Sequence, residues 1–168
     1  TLDIYHPNFF KLAVDETFNC GIKFNDPTTG KAFDLTDNQG GSVGDAGQCP
    51  VQIQGTSSRY YPVKNYNITL MQGGTYFNFA PRDNWKPMHN FTLKANYMDS
   101  SQANNVGIAR FYNDLVKAYN PLPTQAIDKD YRASIDGFPV RLRVNGMFAG
   151  IYTFNIDRYG HDVYGFSD

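Results

Sequence analysis

Apolar and polar residues alternate at period two in Val51-Gln52-Ile53, from Tyr66 to Leu70, from Val140 to Val144 and from Ile151 to Ile156. Each stretch is short and bounded by turn formers, so each predicts a strand with one face buried. Phe91-Thr92-Leu93-Lys94-Ala95 reads the same way. Asn145-Gly146 joins two of these runs and predicts a hairpin, because a type I′ turn needs positive φ at both central positions. Ahead of them, residues 1 to 33 carry short apolar groups (Ile4, Tyr5; Phe9, Phe10, Leu12; Phe18; Ile22, Phe24) cut by Asp26-Pro27-Thr28-Thr29-Gly30. They predict short strands forming a small sheet of their own.

Only one segment changes period. From Ile108, the residues Phe111, Tyr112, Leu115 and Tyr119 follow at offsets of three, four, seven and eleven. They form a single apolar stripe on a helix of about five turns. The helix begins near Asp99, a residue suited to an N-cap, and stops before Asn120-Pro121-Leu122-Pro123. Strands, one helix and a terminal hairpin make an α+β fold with a mostly antiparallel sheet.

Between residues 34 and 47 the chain turns to Gly, Asn, Asp, Gln and Ser, which leaves almost nothing to bury and predicts a mobile loop. The expected organisation is therefore an N-terminal β segment and loop over 1–48, followed by a domain over 49–168. At 168 residues and 41% hydrophobic, the chain is large enough to bury a core without staples or metals. The aromatic share of 15% favours strands. Fifteen Lys and Arg against sixteen Asp and Glu leave a net charge of −1, which gives a nucleic acid no basic surface to bind. No apolar run is long enough to cross a bilayer, and the first ten residues have neither a basic start nor a signal core.

Candidate chemistry is sparse. Cys20 and Cys49 allow one disulfide, but without a secretory signal two reduced, buried thiols are the expectation. His6, His89 and His161 have no Cys or His neighbour at ligand spacing, so no metal site is predicted on them. There is no nucleophile elbow, Walker loop, Cys-x-x-Cys pair or dinucleotide fingerprint. What remains is Gly55, Thr56, Ser57, Ser58 and Arg59, with Lys64 close behind, on the connection between two strands. Hydroxyls, free backbone N–H groups and cations suit a phosphate, and they equally make an ordinary polar turn.

Three blocks carry a resemblance: GTSSRYYPVKNYNITL, then FTLKANYMDSSQANNVGIARFYNDLV, then IDGFPVRLRVNGMFAGIYTFNID. In this order, over residues 49–157, they resemble the spore coat protein H (CotH) kinase-like family, most closely the branch found in tail and baseplate proteins of phages and prophages. The resemblance implies the N-terminal part of an atypical kinase fold that binds ATP with Mg²⁺ or Mn²⁺ and transfers a phosphoryl group to Ser or Thr. It would place Gly55, Thr56, Ser57, Ser58 and Lys64 around the phosphates, with Lys94 and Asn96 across the cleft. The family's metal-holding aspartates lie beyond the hairpin, and Asp157, Asp162 and Asp168 fit no pattern of those ligands. An arginine that many relatives carry at the helix start is also missing from Asp99-Ser100-Ser101-Gln102-Ala103-Asn104-Asn105.

The expectation is thus a CotH-like domain of a virion-associated protein, in the tail or at the host-cell surface. Its role would be structural or in host-surface contact, with a vestigial nucleotide site and other virion or surface proteins as partners; assembly into oligomers is compatible with that setting. The alternative is an ATP-dependent Ser/Thr kinase whose metal-binding lobe lies beyond residue 168. A third reading, a carbohydrate-binding β domain using Tyr and Phe as stacking platforms, rests on composition.

Overall fold

The computed structural model describes residues 1–37, 47–99, 101, 103–119 and 134–157. Most of the glycine-rich loop, the expected helix stop at Asn120-Pro121, and Asp162 and Asp168 lie outside these residues. The fold is a mixed α+β arrangement with a mostly antiparallel sheet and one α-helix, α1 (Asn104–Tyr119). The main strands are β1 (Leu2–Tyr5), β2 (Thr17–Asn25), β3 (Ala32–Leu35), β4 (Cys49–Gln54), β5 (Asn65–Thr69), β8 (Asn90–Lys94), β9 (Gly137–Val144) and β10 (Met147–Ile156). Two short strands, β6 (Met71–Gln72) and β7 (Thr75–Tyr76), pair only with each other.

The N-terminal strands do not form a sheet of their own. β1 pairs in parallel with β9 and antiparallel with β2, and β2 pairs with β4. The pairings therefore run β1-β9-β10-β8-β5-β4-β2 and return to β1, closing the sheet on itself, with β3 lying beside the second half of β2. Closure pairs both edges of the ring strands, and β3, paired with β2 alone, keeps one open edge among the described residues. The predicted Asn-Gly turn is present, with φ of 50° at Asn145 and 83° at Gly146. It is also tied to the N-terminal segment: His6 N–H donates to Asn145 Oδ1 at 3.0 Å, and Asn145 Nδ2 donates to the His6 carbonyl at 2.9 Å.

The register explains the core. Leu2 faces Phe24 and Leu142, Ile4 faces Ile22 and Val144, Phe154 faces Leu93, and Ile68 faces Phe91 and Val51, so each cross-strand pair is apolar and all point to one side. These residues belong to a single buried cluster. Cys20 and Cys49 are cross-strand partners within it, both free and buried, and burial pushes the Cys49 thiol up to about 11. Burial likewise raises the Tyr152 hydroxyl to about 12. No helix among the described residues is long and apolar enough to cross a membrane.

The helix is where the expected pattern and the structure part. Ile108, Phe111, Tyr112, Leu115 and Tyr119 face solvent, with Ile108 71% and Tyr119 78% exposed. The inward face carries Val106, Ala109, Asn113 and Val116 instead. Polar contacts decide this orientation. Asn113 Nδ2 donates to Ser134 Oγ at 2.8 Å, Ser134 N–H returns a bond to Asn113 Oδ1 at 3.1 Å, and Ser134 Oγ donates to the Ala109 carbonyl at 2.6 Å. Arg110 reaches Asp136 and the Gly137 carbonyl on the same side. Turning the aromatic stripe inward would leave these buried groups without partners, a cost of about 1–3 kcal/mol each. Phe111→Ser is accordingly expected to change unfolding free energy by no more than about 0.5 kcal/mol in a urea titration, as for an ordinary surface position. A loss of several kcal/mol would show that Phe111 packs inside.

Candidate functional site

The alternation that sends apolar side chains into the closed sheet sends their neighbours outward. Across β4, β5, β8 and β10 this produces a polar row. Gln54 pairs with Asn65, Lys94 pairs with Thr153, and Asn65 stands next to Lys94 in the β5–β8 register. The Lys94 ammonium spans the row to donate to Gln54 Oε1. Asn65 joins both sides of the site, since its Nδ2 donates to Ser58 Oγ at 3.2 Å and its Oδ1 accepts from Ala95 N–H at 2.8 Å.

The row forms one wall of a cleft of about 390 Å³. A second wall comes from the segment between β8 and α1. Asn96, in the left-handed region at φ 47°, donates to Thr153 Oγ1 at 2.8 Å and accepts from Asn105 Nδ2 at 3.2 Å. Asp99 organises the helix start by accepting from Ser101 Oγ at 2.6 Å, Ser101 N–H at 3.1 Å and Asn104 N–H at 3.0 Å. These donors, Ser101 Oγ foremost, hold its carboxyl below the ordinary aspartate value. The helix starts later than expected, at Asn104 rather than near Asp99, so Asp99 is not the N-cap residue; it satisfies the Asn104 N–H from five residues upstream. Tyr61 and Tyr97 close the remaining side, their rings 5.4 Å apart and tilted by 33°.

The residues singled out from the sequence separate into distinct groups. Ser58, Lys94 and Asn96 line the cleft together. Gly55 shapes the loop: at φ 121° it is strained for any side chain, and a Cβ there would fall 2.0 Å from Ser58 Oγ. Thr56 and Ser57 are exposed and do not line the cleft. Lys64 donates to the Arg59 carbonyl at 2.8 Å, securing the 3₁₀ turn Ser58–Tyr60 that builds the loop. Arg59 pairs with Asp15 at 3.3 Å.

Several cleft residues lie within the resembling blocks without an expected role. Tyr61, Asn65, Tyr97 and Asn105 are among them, and the pairing register brings them to one place.

Charge sets what this arrangement can bind. Among the described residues that line the cleft, Lys94 and Asp99 carry formal charge, one of each sign. A polyphosphate needs an excess of positive charge, and these residues supply none. Asp99 already accepts three donors, so among the described residues the cleft offers a divalent metal no carboxylate without partners. Among the described residues, no three of His, Cys, Asp and Glu come together to hold a metal. The donor set therefore does not fit ATP with its cation, although hydroxyl, amide and ammonium donors are present. No family model matches the chain, and no curated protein matches it.

Proposed function

We propose that this chain is a CotH-like domain of a phage or prophage tail-associated protein, engaged in structural or host-surface contact, with a vestigial nucleotide site. One observation carries the reading. The loop and strand of the resembling motifs meet at a single cleft through Ser58, Lys94 and Asn96, while the charge a nucleotide would need is absent, with Lys64 bonded to the Arg59 carbonyl and Lys94 balanced by Asp99. A cleft that gathers the motif residues without an excess of positive charge suits a domain whose surface serves contact rather than nucleotide turnover.

Thermal unfolding tests this directly, because a ligand that binds only the folded state must raise the midpoint. ATP and ADP at millimolar concentration, with and without Mg²⁺ or Mn²⁺, are expected to leave the midpoint unchanged. Labelled ATP is expected to transfer no phosphate to protein. A midpoint that rises with ATP and is restored to baseline by Lys94→Ala would overturn the vestigial reading and favour the kinase alternative.

A further inference from the structure

We propose that the cleft between Lys94, Asn96 and the Tyr61–Tyr97 pair binds a neutral saccharide. This rests on the reading above, in which the cleft is the domain's surface-contact site, and it names the ligand class. Four side-chain amides line the cleft, those of Asn65, Asn96, Asn104 and Asn105. Those of Asn65 and Asn96 are engaged at both atoms, with Ser58 and Ala95 and with Thr153 and Asn105, and so fix the wall, while Asn104 and the Asn105 oxygen present amide groups toward a ligand. An amide offers a donor and an acceptor side by side, which matches the hydroxyls of a sugar, each of them donor and acceptor. Phosphate oxygens only accept, and half of this capacity would go unused on them.

Neutrality points the same way. With one charge of each sign among the described lining residues, an uncharged ligand meets no net charge, whereas a triphosphate brings several negative charges against the single cation Lys94. The tyrosines supply the other half of sugar chemistry. Tyr61 and Tyr97 are in contact with each other, so a ring does not insert between them; it stacks on the outer face of Tyr97, which is half exposed at the cleft. The C–H face of a pyranose is apolar and suits an aromatic face, while its equatorial hydroxyls reach toward the amides. A volume of about 390 Å³ lies within the ordinary range for small-ligand sites.

Saturation-transfer NMR with the methyl glycosides of glucose, galactose, mannose, rhamnose and the N-acetylhexosamines tests the assignment. At least one glycoside is expected to receive saturation, strongest at its ring C–H protons. Tyr97→Ala is expected to weaken that binding about tenfold, and Asn105→Ala to weaken it several-fold. Phe111→Ser, remote from the cleft, is expected to leave it unchanged, and a thermal midpoint within error of the parent checks that each variant is folded. ATP is expected not to displace the sugar. Absence of transfer from every glycoside, transfer that survives both cleft substitutions, or displacement by ATP would each overturn the proposal. Binding of the domain to an envelope preparation that Tyr97→Ala abolishes, with no glycoside bound, would leave the surface-contact reading standing and remove the saccharide from it.

Discussion

Phe24→Ala is expected to cost about 3–5 kcal/mol of unfolding free energy. Phe24 is almost wholly buried on β2, at the centre of an aromatic cluster inside the closed sheet. Its ring stacks on Phe33 and Phe154, each at 5.8 Å, and meets Phe79 edge-on at 5.6 Å and Phe138 at 6.2 Å. Truncation removes the apolar surface from burial and also leaves a cavity, because four rings on four different segments cannot all collapse into it. Domains of this size are stable by about 5–15 kcal/mol in total, so the loss is about a fifth of the total or more. Urea titration at constant m-value is the appropriate readout, since a changed m-value would signal a different folded or unfolded state. Phe24→Leu, which keeps most of the volume, is expected to recover more than half of the loss. A cost under about 1 kcal/mol for the alanine variant would mean that the cluster is not the core.

That core was legible in the sequence because alternation is local. Val51, Ile53, Tyr66, Ile68, Val140, Leu142 and Val144 announce their facing by spacing alone, and Asn145-Gly146 announces the hairpin. Closure of the sheet was not legible. It depends on Leu2, Asp3 and Ile4 pairing in parallel with Leu142, Arg143 and Val144, and no local signal specifies a partner so far along the chain. The helix shows a subtler limit. Its stripe is real as a pattern, yet Asn113 and Arg110 find buried or backbone partners around residues 134–137 and turn the opposite face inward. Periodicity identifies an amphipathic helix without saying which face meets the protein when polar partners compete.

The site divides along the same line. Ser58, Lys94 and Asn96 were reached through motif wording, and the structure gathers them at one cleft. Lys64 was singled out for its charge, and the structure gives that charge to a backbone carbonyl five residues earlier. Asn65, within the same block, connects the loop to the end of β8 through both atoms of its amide. An asparagine on a strand looks like ordinary outward-facing polarity until the neighbouring strands are known.

Asp136 is where the second large loss is expected, and its pH dependence separates charge from shape. The carboxylate, 9% exposed, accepts from Trp85 Nε1 at 3.0 Å, Arg110 Nε at 2.9 Å and its own neighbour's Gly137 N–H at 2.8 Å. It thereby joins the loop before β8, the helix and the start of β9. Gly137 lies directly against Asn155, where a Cβ would fall 1.7 Å from Asn155 Oδ1, so the position accepts no side chain. Asp136→Ala leaves the buried Trp85 and Gly137 donors unsatisfied, at about 1–3 kcal/mol each. The Arg110 pair adds less than about 1 kcal/mol, since that guanidinium is more than half exposed. The expected total is about 2–7 kcal/mol. Burial alone would raise the Asp136 pKa, but the bonds from Arg110, Trp85 and Gly137 outweigh it and hold the carboxyl below its ordinary value. The folded pKa then lies below the unfolded one, so the stabilisation is complete above the unfolded value and is lost as pH falls through the folded value. The Asp26 carboxyl is lowered to about 2, chiefly by its bond from Arg82, and weakens the fold in the same acid range. That background is common to the parent and to Asp136→Asn, so the difference between the two isolates the charge at 136. The difference in unfolding free energy is expected to stay constant from about pH 7 to pH 5 and to shrink below about pH 4. If it persists undiminished well into acid, the ionised carboxylate is not what holds these three segments together.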